Sequence, residues 1–107
     1  MNIIIKNKEQ INGIRKSCKL ARDTLNHVAS FIKPGISTEE LDNIASEFIL
    51  KNNAIAAPLN YKGFPKSICT SINEVVCHGI PSTTDILKNG DIINIDVTTI
   101  LNGYYGD

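Results

Sequence analysis

The stretch GDIINIDVTTILNGYYGD, residues 90–107, reads as two β-strands joined by a tight turn. Apolar or threonine side chains occupy every second position, and Asp96 is at one of the positions between them. A period of two is typical of a β-strand that packs one face on the core. Asn102 and Gly103 form the dipeptide preferred in two-residue type I′ hairpins. The turn therefore predicts a hairpin in which Thr98 pairs with Asp107.

The predicted hairpin makes Asp96 and Asp107 diagonal neighbours on one face. Diagonal neighbours lie about 7–8 Å apart at Cα, so the two carboxylates converge on one small volume. Like charges held that close repel unless a cation, a shared proton or bulk water compensates. A divalent metal ion is one such cation. The alternative is a pair of solvated aspartates, and a longer loop would turn Asp107 to the other face.

The first half of the chain has the pattern of helices. Residues 8–32 begin at a capping box on Asn7 and residues 37–53 at one on Ser37, and both have apolar residues at three- and four-residue intervals. Residues 3–5 precede them as a short apolar strand. The predicted apolar stripe of the first helix consists of Ile11, Ile14, Cys18, Ala21, Leu25, Val28 and Ile32.

Residues 66–81 predict a second hairpin that turns at Asn73 and Glu74 and puts Cys69 across from His78. Four roles fit this histidine: a metal ligand, a general acid or base, a partner for a cysteine nucleophile, or a hydrogen-bonded core residue. A cysteine–histidine hydrolase built on this pair lacks the third group that orients such sites. Helices first and antiparallel hairpins after them predict an α+β domain.

Composition narrows the class of protein. The 107 residues are 42% hydrophobic, which suits one small domain, and the formal net charge of zero gives no reason to expect specific binding of nucleic acid. No stretch approaches the roughly 20 apolar residues of a membrane helix, and the N-terminal apolar run is too short for a signal peptide. We therefore expect a cytoplasmic protein, with no membrane partner, whose three cysteines are reduced.

Two long stretches, NYKGFPKSICTSINEVVCHGIP at 60–81 and LKNGDIINIDVTTILNGYYGD at 87–107, resemble the type I methionine aminopeptidases. The segment KPGISTEELD at 33–42 also fits that family's pattern. The resemblance implies the α+β pita-bread fold shared with creatinase and prolidase, with residues 1–107 as the N-terminal portion of one domain. It also implies removal of the initiator methionine from nascent polypeptides, preferably before a small second residue.

The resemblance assigns roles to individual residues. Asp96 is similar to the aspartate that ligates one of two divalent metal ions, which are cobalt, manganese, iron or zinc, and Asp107 is similar to the aspartate that bridges both. His78 resembles the catalytic histidine that contacts substrate near the scissile bond. Tyr61, Phe64 and Cys69 resemble the residues that form the pocket for the methionine side chain. Asn73 and Val75 resemble residues whose backbone oxygens hold a monovalent cation.

Members of that family run to about 250 residues, the size of a large single domain. Their remaining metal ligands, a histidine and two glutamates, have no counterpart in residues 1–107. We therefore expect little or no aminopeptidase activity from this chain alone. The implied partners are the N-termini of nascent polypeptides and, with them, the ribosome. The alternative is a non-catalytic half-domain that binds a partner chain through an exposed sheet edge.

Overall fold

The computed structural model describes residues 3–107 as two helices followed by antiparallel strands, which confirms the α+β class. The elements are α1 Lys8–Ala29, α2 Thr38–Lys51, β1 Ile55–Ala56, β2 Cys69–Ile72, β3 Ile93–Asp96, β4 Thr99–Leu101 and β5 Tyr104–Gly106. One antiparallel sheet has the order β1-β4-β5, and β2 pairs with β3 in a second. None of the helices in this part of the chain has the length and apolarity that a membrane crossing needs.

Both predicted helix starts are confirmed. Asn7 accepts a hydrogen bond from Gln10 N at 2.8 Å and Ser37 Oγ accepts one from Glu40 N at 3.1 Å, so each cap satisfies a backbone donor that the first turn leaves free. α1 ends at Ala29, three residues earlier than predicted. The backbone N–H groups of residues 30–32 donate hydrogen bonds to carbonyl groups three positions earlier, instead of four as in an α-helix. The proline that follows disfavours helical backbone in the residue before it.

Two features of the N-terminal half differ from the prediction. Residues 3–5 form no strand and are exposed, because they have no pairing partner among the described residues. Three members of the predicted stripe of α1 are also more than a third exposed: Ile11, Leu25 and Ile32. The fully buried positions include Ser17 and Thr24 instead. α1 packs closely on the β4–β5 hairpin, where Ser17 is hydrogen-bonded to Thr99.

The hairpin over β4 and β5 has the predicted register. Leu101 pairs with Tyr104 across a turn in which Asn102 has φ 52° and Gly103 has φ 84°. Both values are left-handed, as a type I′ turn requires. The predicted alternation also holds from residue 93 to residue 99, where more exposed positions alternate with more buried ones.

The second predicted hairpin is wrong. β2 pairs with β3, so Cys69 lies opposite Asp96, and residues 75–81 form no strand. His78 has φ 57°, a left-handed value that breaks an extended strand. Gly79 touches β2 instead, through a hydrogen bond from Thr70 N to its carbonyl at 3.0 Å. The segment therefore stays beside β2 and still carries His78 to the same region as Cys69.

Candidate metal and substrate site

A pocket of about 700 Å³ opens between the loop over residues 56–65, the start of β2 and the end of β3. Most of its wall is apolar or aromatic, with a few polar groups, which is the usual composition of a small-ligand site. Five of the six residues predicted for catalysis, substrate or metal line it: Tyr61, Phe64, Cys69, His78 and Asp96.

The loop that carries the two aromatic residues is closed by its own hydrogen bonds. Asn60 N donates to Phe64 O at 2.8 Å, and Phe64 N donates to Tyr61 O at 2.9 Å. Asn60 and Lys62 have φ of 66° and 48°, left-handed values that are uncommon outside glycine and that occur often at functional sites. The loop therefore holds Tyr61 and Phe64 on the pocket wall in a backbone conformation that carries strain.

A buried carboxylate on α2 fixes the start of β2. Asp42 Oδ1 accepts hydrogen bonds from Ser67 N at 2.8 Å and from Ile68 N at 3.0 Å. Burial raises the pKa of Asp42, and the two backbone donors partly oppose that rise. Because Cys69 follows directly, α2 sets the position of the strand that forms the pocket floor.

Cys69 and Asp96 face each other across the β2–β3 ladder. The thiol is buried, and burial raises the pKa of Cys69, with the negative charge of Asp96 raising it further. Since the thiolate is the nucleophilic form of cysteine, this environment disfavours the cysteine–histidine hydrolase. The neutral thiol behaves as a small apolar group in the pocket wall.

The carboxylates of Asp96 and Asp107 lie close enough to interact, with Asp96 in the pocket wall and Asp107 beside Thr98. The pKa of Asp96 is raised, first by burial and then by the charge of Asp107 and a hydrogen bond with it, while the charge of His78 lowers it. Thr98 Oγ1 donates to Asp107 Oδ1 at 2.7 Å. Carboxylate oxygens suit hard divalent cations, and a cation would relieve the repulsion between them. The donor set therefore fits a divalent metal ion.

Within residues 3–107, no third aspartate, glutamate, histidine or cysteine joins these two carboxylates in a group that could hold a metal ion. Asp107 is also the one predicted residue that does not line the pocket; it lies beside Thr98, which does. Catalytic metal sites in proteins ordinarily have three or more protein ligands. The two carboxylates of the described residues fall short of that number.

His78 is exposed in the pocket and its backbone is held by the next residue. Gly79 N donates to Ser71 Oγ at 3.1 Å, and Gly79 O accepts from Thr70 N. A side chain at Gly79 would collide with the Thr70 carbonyl oxygen. The glycine therefore lets the chain approach β2 closely enough to place the imidazole in the pocket beside Cys69.

Asn73 and Val75 lie apart from this pocket, in the wall of a second cavity of about 410 Å³. The Asn73 side chain accepts from Ile92 N at 3.0 Å and donates to Asp91 at 3.1 Å, which together tie the turn after β2 to the start of β3. The monovalent cation at these two residues stays a prediction.

Sequence reasoning missed several residues of the site. Thr98 shares a face with Asp96 in the strand pattern, so its place beside the carboxylates could have been inferred. Asp42 gave a weaker signal, a charged residue in the apolar stripe of α2. The pocket residues Lys62, Ile80 and Tyr105 had no signal in the sequence, since only the folded loops bring them together.

Comparison with known proteins gives a consistent result. Residues 12–107 match the family described as metallopeptidase family M24. The chain is 55% identical to the methionine aminopeptidase of Rickettsia prowazekii (strain Madrid E) over its whole length. It spans 41% of the length of that curated relative.

Solved structures agree in fold. The crystal structure of methionine aminopeptidase from Rickettsia prowazekii superposes with a TM-score of 0.96 at 55% identity, covering 99% of this chain and 42% of that one. The methionine aminopeptidase of Thermotoga maritima gives a TM-score of 0.94 at 31% identity, covering 97% of this chain and 42% of that one. Both similarities extend over nearly every residue of the chain, and they confirm the expected pita-bread architecture.

Proposed function

The chain belongs to metallopeptidase family M24, and on that premise we propose that it contributes to a dinuclear metal site that removes N-terminal methionine from polypeptides. Family membership implies the use of divalent metal ions. The observation that supports the proposal is the proximity of Asp107 to Asp96, which lines a pocket together with His78.

In this proposal Asp96 and Asp107 would be ligands of the divalent metal ions. The candidates are cobalt, manganese, iron and zinc, and two carboxylates favour the harder ions of that set, such as manganese. Bound divalent metals supply an activated water and polarise the carbonyl of the bond to be cleaved. The hydrogen bond from Thr98 orients the Asp107 carboxylate, as groups behind metal ligands generally do.

The remaining pocket residues bind the substrate. Tyr61, Phe64 and the neutral thiol of Cys69 surround the methionine side chain, whose thioether makes favourable contacts with aromatic rings. His78 donates a hydrogen bond to the peptide group near the scissile bond, and this bond strengthens as negative charge develops on the oxygen. The second residue of the substrate in this proposal is a small one.

The substrates in this proposal are the N-termini of nascent polypeptides, which places the reaction in the cytoplasm and near the ribosome. A formal net charge of zero gives no support to a separate role in binding nucleic acid. Asn73 and Val75 hold a monovalent cation through backbone oxygens, away from the reacting bond. The pairing of Asn73 with β3 would then be sensitive to that cation.

A chimaera tests the proposal. Residues 1–107 replace the matching stretch of the Rickettsia prowazekii enzyme, and release of methionine from a Met-Ala-Ser peptide is measured with added manganese. We expect an active chimaera, and a loss of at least about 100-fold on Asp107→Asn, because removal of a metal ligand disables the site. The exposed Asn89→Asp serves as a charge control with unchanged activity. A folded chimaera that binds manganese but releases no methionine would contradict the proposal.

A second candidate function is that of a half-domain that binds a partner chain without catalysis. It is favoured by the exposure of large apolar side chains at the pocket, where Tyr61, Ile80 and Tyr105 each expose more than half of their surface. Here the 107-residue chain is mixed with the separately expressed remainder of the Rickettsia prowazekii enzyme. A stable complex without activity, alongside an inactive chimaera, would support this alternative.

A further inference from the structure

Helix α1 and strand β5 meet along a seam with very little side chain between the two backbones. The seam consists of Gly13 and Ser17 on α1 and of Tyr104 and Gly106 on β5. Gly13 packs against the Tyr104 ring, and Gly106 packs against the backbone of Ser17. Both glycines are thus in close contact, but with different kinds of neighbour.

The two contacts differ in what can move. The atoms nearest to a methyl group at Gly13 would all belong to the Tyr104 ring, a side chain that can move through its own torsion angles. A methyl group at Gly106 would collide with the Ser17 carbonyl group and the Cys18 nitrogen, which belong to the helix backbone. Only a shift of β5 away from α1 could make room for it.

Hydrogen bonds fix the same end of the seam. Ser17 Oγ donates to Thr99 O at 3.1 Å, and Thr99 Oγ1 donates to Ser17 O at 2.8 Å. Both side chains are fully buried, where unpaired hydroxyl groups would be costly. Thr99 is also the partner of Gly106 across the β4–β5 ladder. The pair Thr99 and Gly106 is therefore held against one turn of α1.

The next residues outward from this pair are Thr98 and Asp107, which form the hydrogen bond beside the proposed metal site. From this arrangement we infer that Gly106 and Ser17 are positioning residues, and that contact with α1 sets the location of the Asp107 carboxylate relative to Asp96. The inference rests on the proposed role of these carboxylates as metal ligands. Neither positioning residue touches the metal or the substrate.

The test is a manganese titration of the chimaera with the Rickettsia prowazekii enzyme, which supplies the remaining ligands, followed by paramagnetic broadening of the amide signals of Asp96, Thr98 and Asp107 in NMR spectra. Gly106→Ala is compared with Gly13→Ala, because both add one methyl group to the same seam. We expect Gly106→Ala to weaken manganese binding about 10-fold, as loss of a supporting group around a metal typically does. Gly13→Ala should stay within about 2-fold of the unsubstituted chimaera.

Separate outcomes test the two ideas. Absence of broadening at Asp96 and Asp107 in the unsubstituted chimaera would overturn the proposed metal site, and the inference with it. Manganese binding that is equal in a folded Gly106→Ala chimaera, or equally weakened by both glycine substitutions, would overturn the inference alone. If Gly106→Ala does not fold, Ser17→Val, which crowds the seam from the helix side, is judged by the same criterion.

Discussion

Thr98 Oγ1 donates a 2.7 Å hydrogen bond to Asp107 Oδ1, and the backbone of Thr98 is held from the other side by Ala57 N, which donates to Thr98 O at 2.9 Å. The threonine shares a strand face with Asp96, so it stands beside both carboxylates of the candidate site. A hydroxyl fixed in this way limits the orientations open to the Asp107 carboxylate. It also uses one acceptor position of that carboxylate and leaves the others for a cation.

Substitution of Thr98 should therefore weaken metal binding with little effect on folding. We expect Thr98→Val to reduce the affinity of the chimaera for manganese about 10-fold, because supporting hydrogen bonds to metal ligands are typically worth that much. Thr98→Ser, which keeps the hydroxyl, should restore most of it. Titration calorimetry measures both, with Thr83→Val as an exposed control. Equal affinities for the valine and serine variants would show that the hydrogen bond has no such role.

Removal of the charge on Asp96 should stabilise the metal-free chain. Burial and the charge of Asp107 raise the pKa of Asp96. The contribution of this group to the free energy of unfolding is therefore largest when the carboxyl is protonated, and it declines as the pH rises. At neutral pH we expect Asp96→Asn to raise the free energy of unfolding by about 0.5 kcal/mol, a value kept small by solvent screening.

Urea denaturation with and without manganese measures this effect. In the chimaera, the same substitution should remove the stabilisation that manganese gives, since ligand binding to the folded state adds to stability. Asn94→Asp, on the exposed side of β3, provides a control in which a charge is added instead. A metal-free Asp96→Asn chain that is less stable than the unsubstituted one would contradict the repulsion between the carboxylates.

The cysteines should differ in reactivity. Cys77 is exposed, whereas Cys69 is 8% exposed and has its pKa raised by burial and by Asp96. We expect iodoacetamide to modify Cys69 at least about 10-fold more slowly than Cys77 in the folded chain, because burial both raises the pKa of Cys69 and limits access to its thiol. Peptide mapping of a time course measures the two rates, which should become similar in urea. Equal rates in the folded chain would contradict the buried position of Cys69.

The buried carboxylate of Asp42 should give stability a distinct pH dependence. Burial raises its pKa, so the folded chain holds this proton more tightly than the unfolded chain. Its contribution to stability is present below the ordinary aspartate pKa of 3.8 and is lost as the pH rises through the raised value. The free energy of unfolding of the unsubstituted chain, relative to that of Asp42→Asn, should therefore decrease as the pH rises from acid to neutral.

Urea denaturation over a series of pH values measures that difference. Asp91 is the matched control, because a hydrogen bond from Asn73 lowers its pKa. The contribution of Asp91 to stability is present above the ordinary aspartate pKa and is lost as the pH falls. The free energy of unfolding of the unsubstituted chain, relative to that of Asp91→Asn, should therefore increase as the pH rises. A difference for Asp42→Asn that does not vary with pH would rule out the raised pKa.

The hairpins show how far local sequence carries a fold prediction. Asn102 and Gly103 accept the left-handed backbone of a type I′ turn, so a two-residue signal sets the register of β4 and β5. Asn73 and Glu74 carry a weaker signal, and the strand predicted after them does not form. There Ile93–Asp96, about twenty residues further along the chain, pairs with β2 instead.

By itself, the sequence determined the α+β class, both helix caps, the β4–β5 register and the convergence of Asp96 with Asp107, because each depends on residues close together in the chain. The tertiary structure decided which face of α1 is buried, the pairing of Cys69 with Asp96, and the anchoring of β2 by Asp42. These depend on contacts between distant segments, where close packing of glycine and hydroxyl residues outweighs the apolar periodicity of a single helix.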